Sequence, residues 1–378
     1  MAKWINTFIG DLCTSVSISF NSKLSKVILI NTSDVLDGNI LNHTLVENKN
    51  LKGQFKKTFK KGDILYSEIR PANKRFAYVD IEDTSLYIAS TKLMVLRPNK
   101  NIIEPRFLFS ILKSQSIVNE LQHLAETRSG TFPQITFISE LAPMEVKIPD
   151  RITQKQIISI LETIESLIQT NITINDNLEQ QAQAIFKKNF IECIEKDIVT
   201  LSDYCSFVKG KNPKLVADYF KKDYELYLNI DTLTNNKISY TTPDCLIKAG
   251  EKDILMVMDG ASSGTVYFGK NGVVGSTIAK IVTLDDNMRE IIYQALKYYE
   301  NDIKNHTTGS AIPHTDKQYV LQLKISLPKN YHMFSTYFEK IRELIISNRN
   351  KNNILKSLRD TLLPKLMSGE IDVSNIKV

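Results

Sequence analysis

The chain has 378 residues, 42% of them hydrophobic and 24% charged, with only 14 Gly and 11 Pro. That length suits two or three domains, and the composition excludes collagen-like, low-complexity and wholly disordered chains. The net charge of +6, from 48 Lys and Arg against 42 Asp and Glu, permits an anionic partner without demanding one, and no segment forms a basic tail.

At the start, Met1-Ala-Lys-Trp-Ile-Asn6 lacks the basic and apolar regions of a secretory signal. No stretch reaches the roughly 18 apolar residues that a membrane span requires. The four cysteines, Cys13, Cys193, Cys205 and Cys245, make no Cys-x-x-Cys pair. A cytoplasmic protein with no membrane contact is expected. Cys13 and Cys205 sit at matched places and read as small buried hydrophobes.

Residues 1–150 form the first expected domain. Short strands are predicted at Asp63–Ile69, Arg75–Val79 and Lys92–Leu96, broken by Pro71, Asp80–Asp83 and Pro98. Helical periodicity follows over residues 104–126, then a Gly/Ser/Pro loop and a strand at Met144–Ile148. A long helix is predicted over 151–195, with Thr153-x-x-Gln156 as a capping box. A second domain covers 196–330, and a second long helix with a tail covers 331–378, with Pro364 kinking or stopping it.

The two halves repeat each other. Gly10-Asp-Leu-Cys13 returns as Ser202-Asp-Tyr-Cys205, Lys61-Gly-Asp-Ile-Leu65 as Lys252-Asp-Ile-Leu255, and Ser129-Gly-Thr-Phe-Pro133 as Thr308-Gly-Ser-Ala-Ile-Pro313. The helices repeat most sharply. One stripe runs Ile157, Leu161, Ile164, Ile168, Asn171, Asn175, Leu178, Ala182, Ile185; the other runs Phe334, Phe338, Ile341, Ile345, Asn348, Asn352, Leu355, Arg359, Leu362. Alternating spacings of four and three keep one seam facing a partner. An antiparallel pairing with the Asn aligned sets Asn171 in the layer of Asn352 and Asn175 in that of Asn348. Only Arg359, opposite Ile164, then breaks the apolar seam. The alternative is a solvated break in which these Asn have no partner. The expected fold is α+β: two mixed α/β domains joined by two long helices in an antiparallel coiled coil, with approximate two-fold symmetry.

Catalytic chemistry finds little support. There is no Gly-x-x-x-x-Gly-Lys-Ser/Thr cradle, and Asp259-Gly-Ala-Ser-Ser-Gly264 leads into a strand, which suits a mobile turn or binding loop. Glu145-Val-Lys147 resembles one end of a metal-dependent nuclease site, but the matching strand carries no acid. The five His have no metal-ligand spacing. The two polar loops carry donors suited to phosphates or base edges: Arg128, Ser129, Thr131 and Gln134, then His306, Thr308, Ser310 and His314. Lys56, Lys57, Lys60, Lys61, Arg70, Lys74 and Arg75 form the densest basic stretch. A solvated face explains either group equally well.

The chain resembles the specificity (S) subunits of type I restriction–modification systems. Gly62-Asp-Ile-Leu-Tyr-Ser-Glu-Ile-Arg-Pro71, Gly309-Ser-Ala-Ile-Pro-His-Thr315 and Leu362-Leu-Pro-Lys-Leu-Met-Ser-Gly-Glu-Ile371 carry the resemblance, in that order. It implies a non-catalytic protein whose two target recognition domains each read half of a split DNA sequence. Its helices would act as spacer and dock two methyltransferase (M) subunits for adenine methylation, with restriction (R) subunits as further partners. S-adenosylmethionine, ATP and Mg would be needed only by those partners, and no cofactor or metal by this chain. Lys209, Lys211, Ser262 and Ser263 then join Arg70, Lys74, Arg75 and the loop residues as candidate DNA contacts. Met258-Asp-Gly stands where the first copy has Ile69-Arg-Pro, so the halves should read different bases. The rival readings are a stand-alone two-headed repressor and a nuclease or methyltransferase with unrecognised motifs.

Overall fold

The computed structural model describes residues 3–21, 24–49, 51, 53–128, 133–192, 197–234, 236–243, 246–309, 312–374 and 376. The chain divides into two compact units, Met1–Ser166 with Leu355–Val378, and Leu167–Ile354. The division falls inside both long helices, so each helix gives one part to each unit.

In the first unit, Cys13–Val16, Leu93–Pro98, Ile64–Ser67 and Phe76–Tyr78 form an antiparallel sheet in that order. Its central strands are mostly apolar, Ile64 to Tyr66 and Leu93 to Leu96, because both faces are covered. Ile64, Tyr66, Met94 and Leu96 face a core shared with helices Pro105–Leu112 and Gln115–Arg128. Leu65, Leu93 and Val95 face a second core. That second core lies under a sheet ordered Leu45–Glu47, Lys26–Ile30, Tyr87–Ser90, Phe55–Lys57, whose middle pair is parallel.

The second unit repeats this topology strand for strand. Cys205–Lys209, Ile278–Thr283, Ile254–Val257 and Val266–Phe268 form the first sheet. Tyr240–Thr241, Glu225–Leu228, Gly272–Val274 and Lys248–Ala249 form the second, again with a parallel middle pair. Ile5–Phe8 pairs with Glu145–Ile148, and Asp197–Thr200 pairs with Lys324–Leu327. Glu145 and Lys147 point outward to solvent, which removes them from any catalytic pocket.

The repeated motifs are scaffold. Asp63 accepts the Lys60 N–H at 2.9 Å and a bidentate pair from Arg97 at 2.9 and 2.7 Å. Asp253 accepts the Gly250 N–H at 2.7 Å and the Lys280 ammonium at 2.7 Å. Each carboxylate thus closes a turn and ties it to a neighbouring strand. Cys13 and Cys205 each open a first-sheet strand, and burial pushes both thiols up to about 12.

The first long helix spans Arg151–Phe186 and continues as a π turn to Ile191. Its cap is Asp150, not Thr153: the Asp150 carboxylate accepts the Ile152 and Thr153 N–H groups, both at 3.0 Å. Gln156, expected in the capping box, instead donates to the Ile376 carbonyl at 2.7 Å. The buried Gln154 accepts the Glu104 N–H at 2.7 Å and donates to the Pro149 carbonyl at 2.8 Å, fixing the helix start to the loop beside it.

The second long helix spans Tyr331–Ser368 and does not stop at Pro364, one of the two outcomes, kink or stop, expected there. Near a helix end the missing N–H forfeits one internal bond, and its fixed φ already suits a helix. Gly369 ends the helix at φ +77°, where a Cβ would lie 2.6 Å from the Trp4 indole nitrogen. Gly369→Ala is therefore expected to destabilise the first unit by about 1–3 kcal/mol. Denaturation followed by fluorescence of Trp4, the one tryptophan in the chain, measures this directly. An unchanged midpoint would mean that the indole yields without resistance.

Candidate nucleic-acid interface

The Ile64–Ser67 strand leads into a 3₁₀ turn at Pro71–Asn73, and the first polar loop returns beside it. The Arg70 N–H donates to the Pro133 carbonyl at 3.2 Å, the Ile135 N–H donates to the Glu68 carbonyl at 2.8 Å, and Ile69 faces Gln134 in an antiparallel bridge. Gln122 accepts the Ala72 N–H at 3.0 Å and holds the turn on its helix. Lys92 donates to the Gln134 side chain at 3.3 Å.

The second unit builds the same junction. The Gly260 N–H donates to the Pro313 carbonyl at 2.9 Å, the Thr315 N–H donates to the Met258 carbonyl at 2.8 Å, and Asp259 faces His314 in an antiparallel bridge. This geometry corrects the sequence alignment by one residue: Ile69-Arg70-Pro71 matches Asp259-Gly260-Ala261, not Met258-Asp-Gly.

The corrected match explains two left-handed residues. Arg70 and Lys74 have φ +46° and +51°, whereas Gly260 and Gly264 have φ +99° and +85°. A non-glycine residue there costs about 1–2 kcal/mol. The first unit carries two exposed cations at positions where the second has the residue that the backbone prefers.

Other candidates divide into presented and internally engaged. Gln134 is half-buried at the junction, and Lys211, Thr308 and His314 are exposed. Arg128 ion-pairs with Glu140 at 2.7 Å, and Glu140 also accepts the Thr136 N–H at 2.6 Å, so Arg128 closes its own loop. Arg75 donates to the Ser33 carbonyl at 3.0 Å, and Lys57 donates to the Thr91 and Leu93 carbonyls at 2.9 Å. Lys61 pairs with Glu82. Ser263 is buried and donates to the Pro313 and Gly260 carbonyls at 2.8 and 2.6 Å, which makes the expected mobile turn a packed one; Ser262 is half-buried. His306 stacks on Tyr319 with ring centroids 3.9 Å apart. Ser129, Thr131 and Ser310 lie outside the described residues, as do Cys193 and Cys245.

Sequence reading missed Glu140 at the first junction, and at the second it named Asp259 only as the start of a turn, without its partners. Asp259 accepts from Lys209 and pairs with His314, each at 2.8 Å. Burial opposes its charge, but the bonds from Lys209 and His314 outweigh that and hold its carboxyl below the usual range. A carboxyl held low contributes stability above its ordinary pKa of about 3.9 and loses it as pH falls through the lowered value.

In the second unit the two helices run antiparallel. Asn171 donates to Asn352 at 2.8 Å, Asn348 donates to Asn175 at 2.9 Å, and Asn352 also donates to the Ile168 carbonyl at 3.2 Å. Asn175 and Asn352 are buried and the other two are half-buried, so this is no solvated break. Leu178, Ala182, Ile185, Phe338, Ile341 and Ile345 share the apolar cluster below them. In the first unit, Arg359 turns its guanidinium to Asp360 at 2.8 Å.

Among the described residues no three or more His, Cys, Asp or Glu converge as a metal site, and no helix is long and apolar enough to cross a membrane. The two units are thus one duplicated scaffold with different side chains at one matched junction. The profile of the family described as the type I restriction modification DNA specificity domain matches residues 1–180 and 194–356. The HindI specificity subunit of Haemophilus influenzae is 30% identical, over 98% of this chain and all of that subunit. The MjaIX specificity subunit of Methanocaldococcus jannaschii is 22% identical over 84% of this chain and 79% of that subunit. The crystal structure of the S subunit from M. genitalium shares the fold, at TM-score 0.53 and 17% identity over 97% of this chain and 96% of that one. The chain belongs to the type I restriction–modification specificity subunits, the non-catalytic components that recognise DNA.

Asp259→Asn should loosen the second junction by about 1 kcal/mol, since it replaces charge-assisted bonds with weaker ones. Amide exchange should accelerate at Gly260 and Thr315 and stay constant at Ile135. Equal protection at all three sites would show that the clamp contributes nothing.

Proposed function

We propose that residues 1–150 and 196–330 are the two target recognition domains, each reading one half of a split duplex sequence. The matched junction supports this reading: one backbone pattern carries Arg70, Lys74 and Gln134 in one unit, and Gly260, Gly264 and His314 in the other. A scaffold repeated with its exposed side chains changed is what two different half-sites require. Arginine and glutamine pair bidentately with guanine and adenine, and lysine suits phosphates. The helices would dock two methyltransferase subunits for adenine methylation, joined by restriction subunits where the system cleaves DNA. Those partners would hold S-adenosylmethionine, ATP and Mg, and the complex would work in the cytoplasm.

Arg70 provides the test, because its backbone strain is relieved by the residue that the other unit uses. Arg70→Gly should leave thermal stability unchanged or raise it by up to about 1 kcal/mol. The same variant should weaken reading of one half-site by about 1–3 kcal/mol. Mapping N6-methyladenine in a host carrying either form reads the outcome as relaxation at one position of one half. Unchanged methylation with Arg70→Gly would remove Arg70 from the interface. Lack of any split methylated motif with the wild-type chain would overturn the proposal as a whole.

A further inference from the structure

The chain between the second and third strands of each unit differs sharply between the copies. In the first unit, nine residues join Val16 to Lys26; in the second, residues 210–224 join Lys209 to Glu225. The longer segment carries Lys211, Lys214, Lys221 and Lys222, all exposed, against Asp218 and Asp223. It also presents Leu215 (59% exposed), Val216 (53%), Tyr219 (61%) and Phe220 (68%). So dense a group of exposed large apolar side chains on a short segment marks a contact surface.

The segment is held in shape, although its side chains face outward. The Gly210 N–H donates to the Ile278 carbonyl at 2.9 Å, Ser276 donates to Asn212 at 2.5 Å, and Thr241 donates to the Leu215 carbonyl at 2.6 Å. Ala217 and Tyr240 exchange backbone bonds at 2.9 and 2.8 Å, and the Phe220 ring meets the Tyr240 ring edge-on at 5.7 Å. Lys221 lies over the Tyr219 ring at 5.0 Å. The segment begins at Lys209, whose ammonium binds Asp259, the partner of His314. It is therefore continuous with the second junction.

We infer that residues 211–222 are a specificity-determining DNA contact of the second recognition domain. Tyr219 and Phe220 pack against base edges or a base step, while Lys211, Lys214, Lys221 and Lys222 neutralise flanking phosphates. Three observations favour duplex DNA over a protein partner. The cations outnumber the acids, the segment adjoins the junction, and the sequence of the first unit's connection, residues 17–25, has one lysine and no adjacent aromatic pair. A partner that docks twice on a duplicated scaffold would need the feature in both. Aromatic and aliphatic wedges between or against bases are a known way to read deformability and thymine methyl groups. The inference rests on the DNA-reading role proposed above.

The test is selection from a randomised duplex library by the complex of the full chain with its methyltransferase subunits. Wild type is expected to select a split sequence. Tyr219→Ser with Phe220→Ser should lower affinity about tenfold or more and relax one half, leaving the other sharp. Gln134→Ala should relax the opposite half. Lys221→Ser with Lys222→Ser should weaken binding to all sequences alike and flatten its salt dependence. An unchanged consensus and affinity in the Tyr219/Phe220 variant would overturn the inference, as would loss of the methyltransferase subunits with DNA selection intact. If wild type selected no split sequence, the underlying DNA-reading role would fail instead.

Discussion

Two pairs of amides hold the long helices at one axial position. Within the second unit, Asn171 with Asn352 and Asn175 with Asn348 complete each other's hydrogen bonds at 2.8 and 2.9 Å across a seam that is otherwise apolar. A shift of one heptad would set an amide against Ile or Leu, and each buried amide left unsatisfied costs about 1–3 kcal/mol. Leucine layers alone would not discriminate so steeply, since apolar side chains accept many partners. Both helices then run on into the first unit, and the cluster beneath the amides includes Ile254 and Met256 of the sheet that carries the second junction. The axial position of the helices is thus built into the core that supports the second junction.

Around that constraint, the molecule separates what holds the fold from what varies. Asp63 with Arg97 and Asp253 with Lys280 do the same structural work in each copy, and the two carboxylates sit inside one of the repeated motifs. The residues that differ lie at the rim: Arg70 and Lys74 against Gly260 and Gly264, Gln134 against His314, and the short connection against residues 210–224. Left-handed backbone at Arg70 and Lys74 is tolerated although glycine was available to the same scaffold. Backbone strain of this kind clusters at functional sites.

Much of this organisation was legible in the chain. Apolar runs bounded by Pro71 and Pro98 marked the central strands, and the matched Asn spacing pointed to the helix pair. Three kinds of feature were hidden. The helix cap went to Asp150 rather than Thr153, because both lie within one turn and only geometry chooses between them. The partners of Arg128 and Lys209, Glu140 and Asp259, lie 12 and 50 residues away, which no local pattern reports. The strain at Arg70 leaves no trace in its own residue type. It would have shown had the copies been aligned so that Arg70 and Lys74 fell on Gly260 and Gly264. Resemblance to specificity subunits supplied the functional class, while the residues alone left a solvated surface equally open.

The amide layers are tested most directly by a distance between the helices. Spin labels at the exposed positions Thr173 and Lys351 report axial alignment within the second unit. The otherwise wild-type chain should give a single narrow distance. Replacing all four amides, as Asn171→Leu, Asn175→Leu, Asn348→Leu and Asn352→Leu, should broaden it into populations displaced by about 10 Å, one heptad at 1.5 Å per residue. A fourfold variant with the same narrow distance would show that apolar packing alone sets the alignment and would contradict the account.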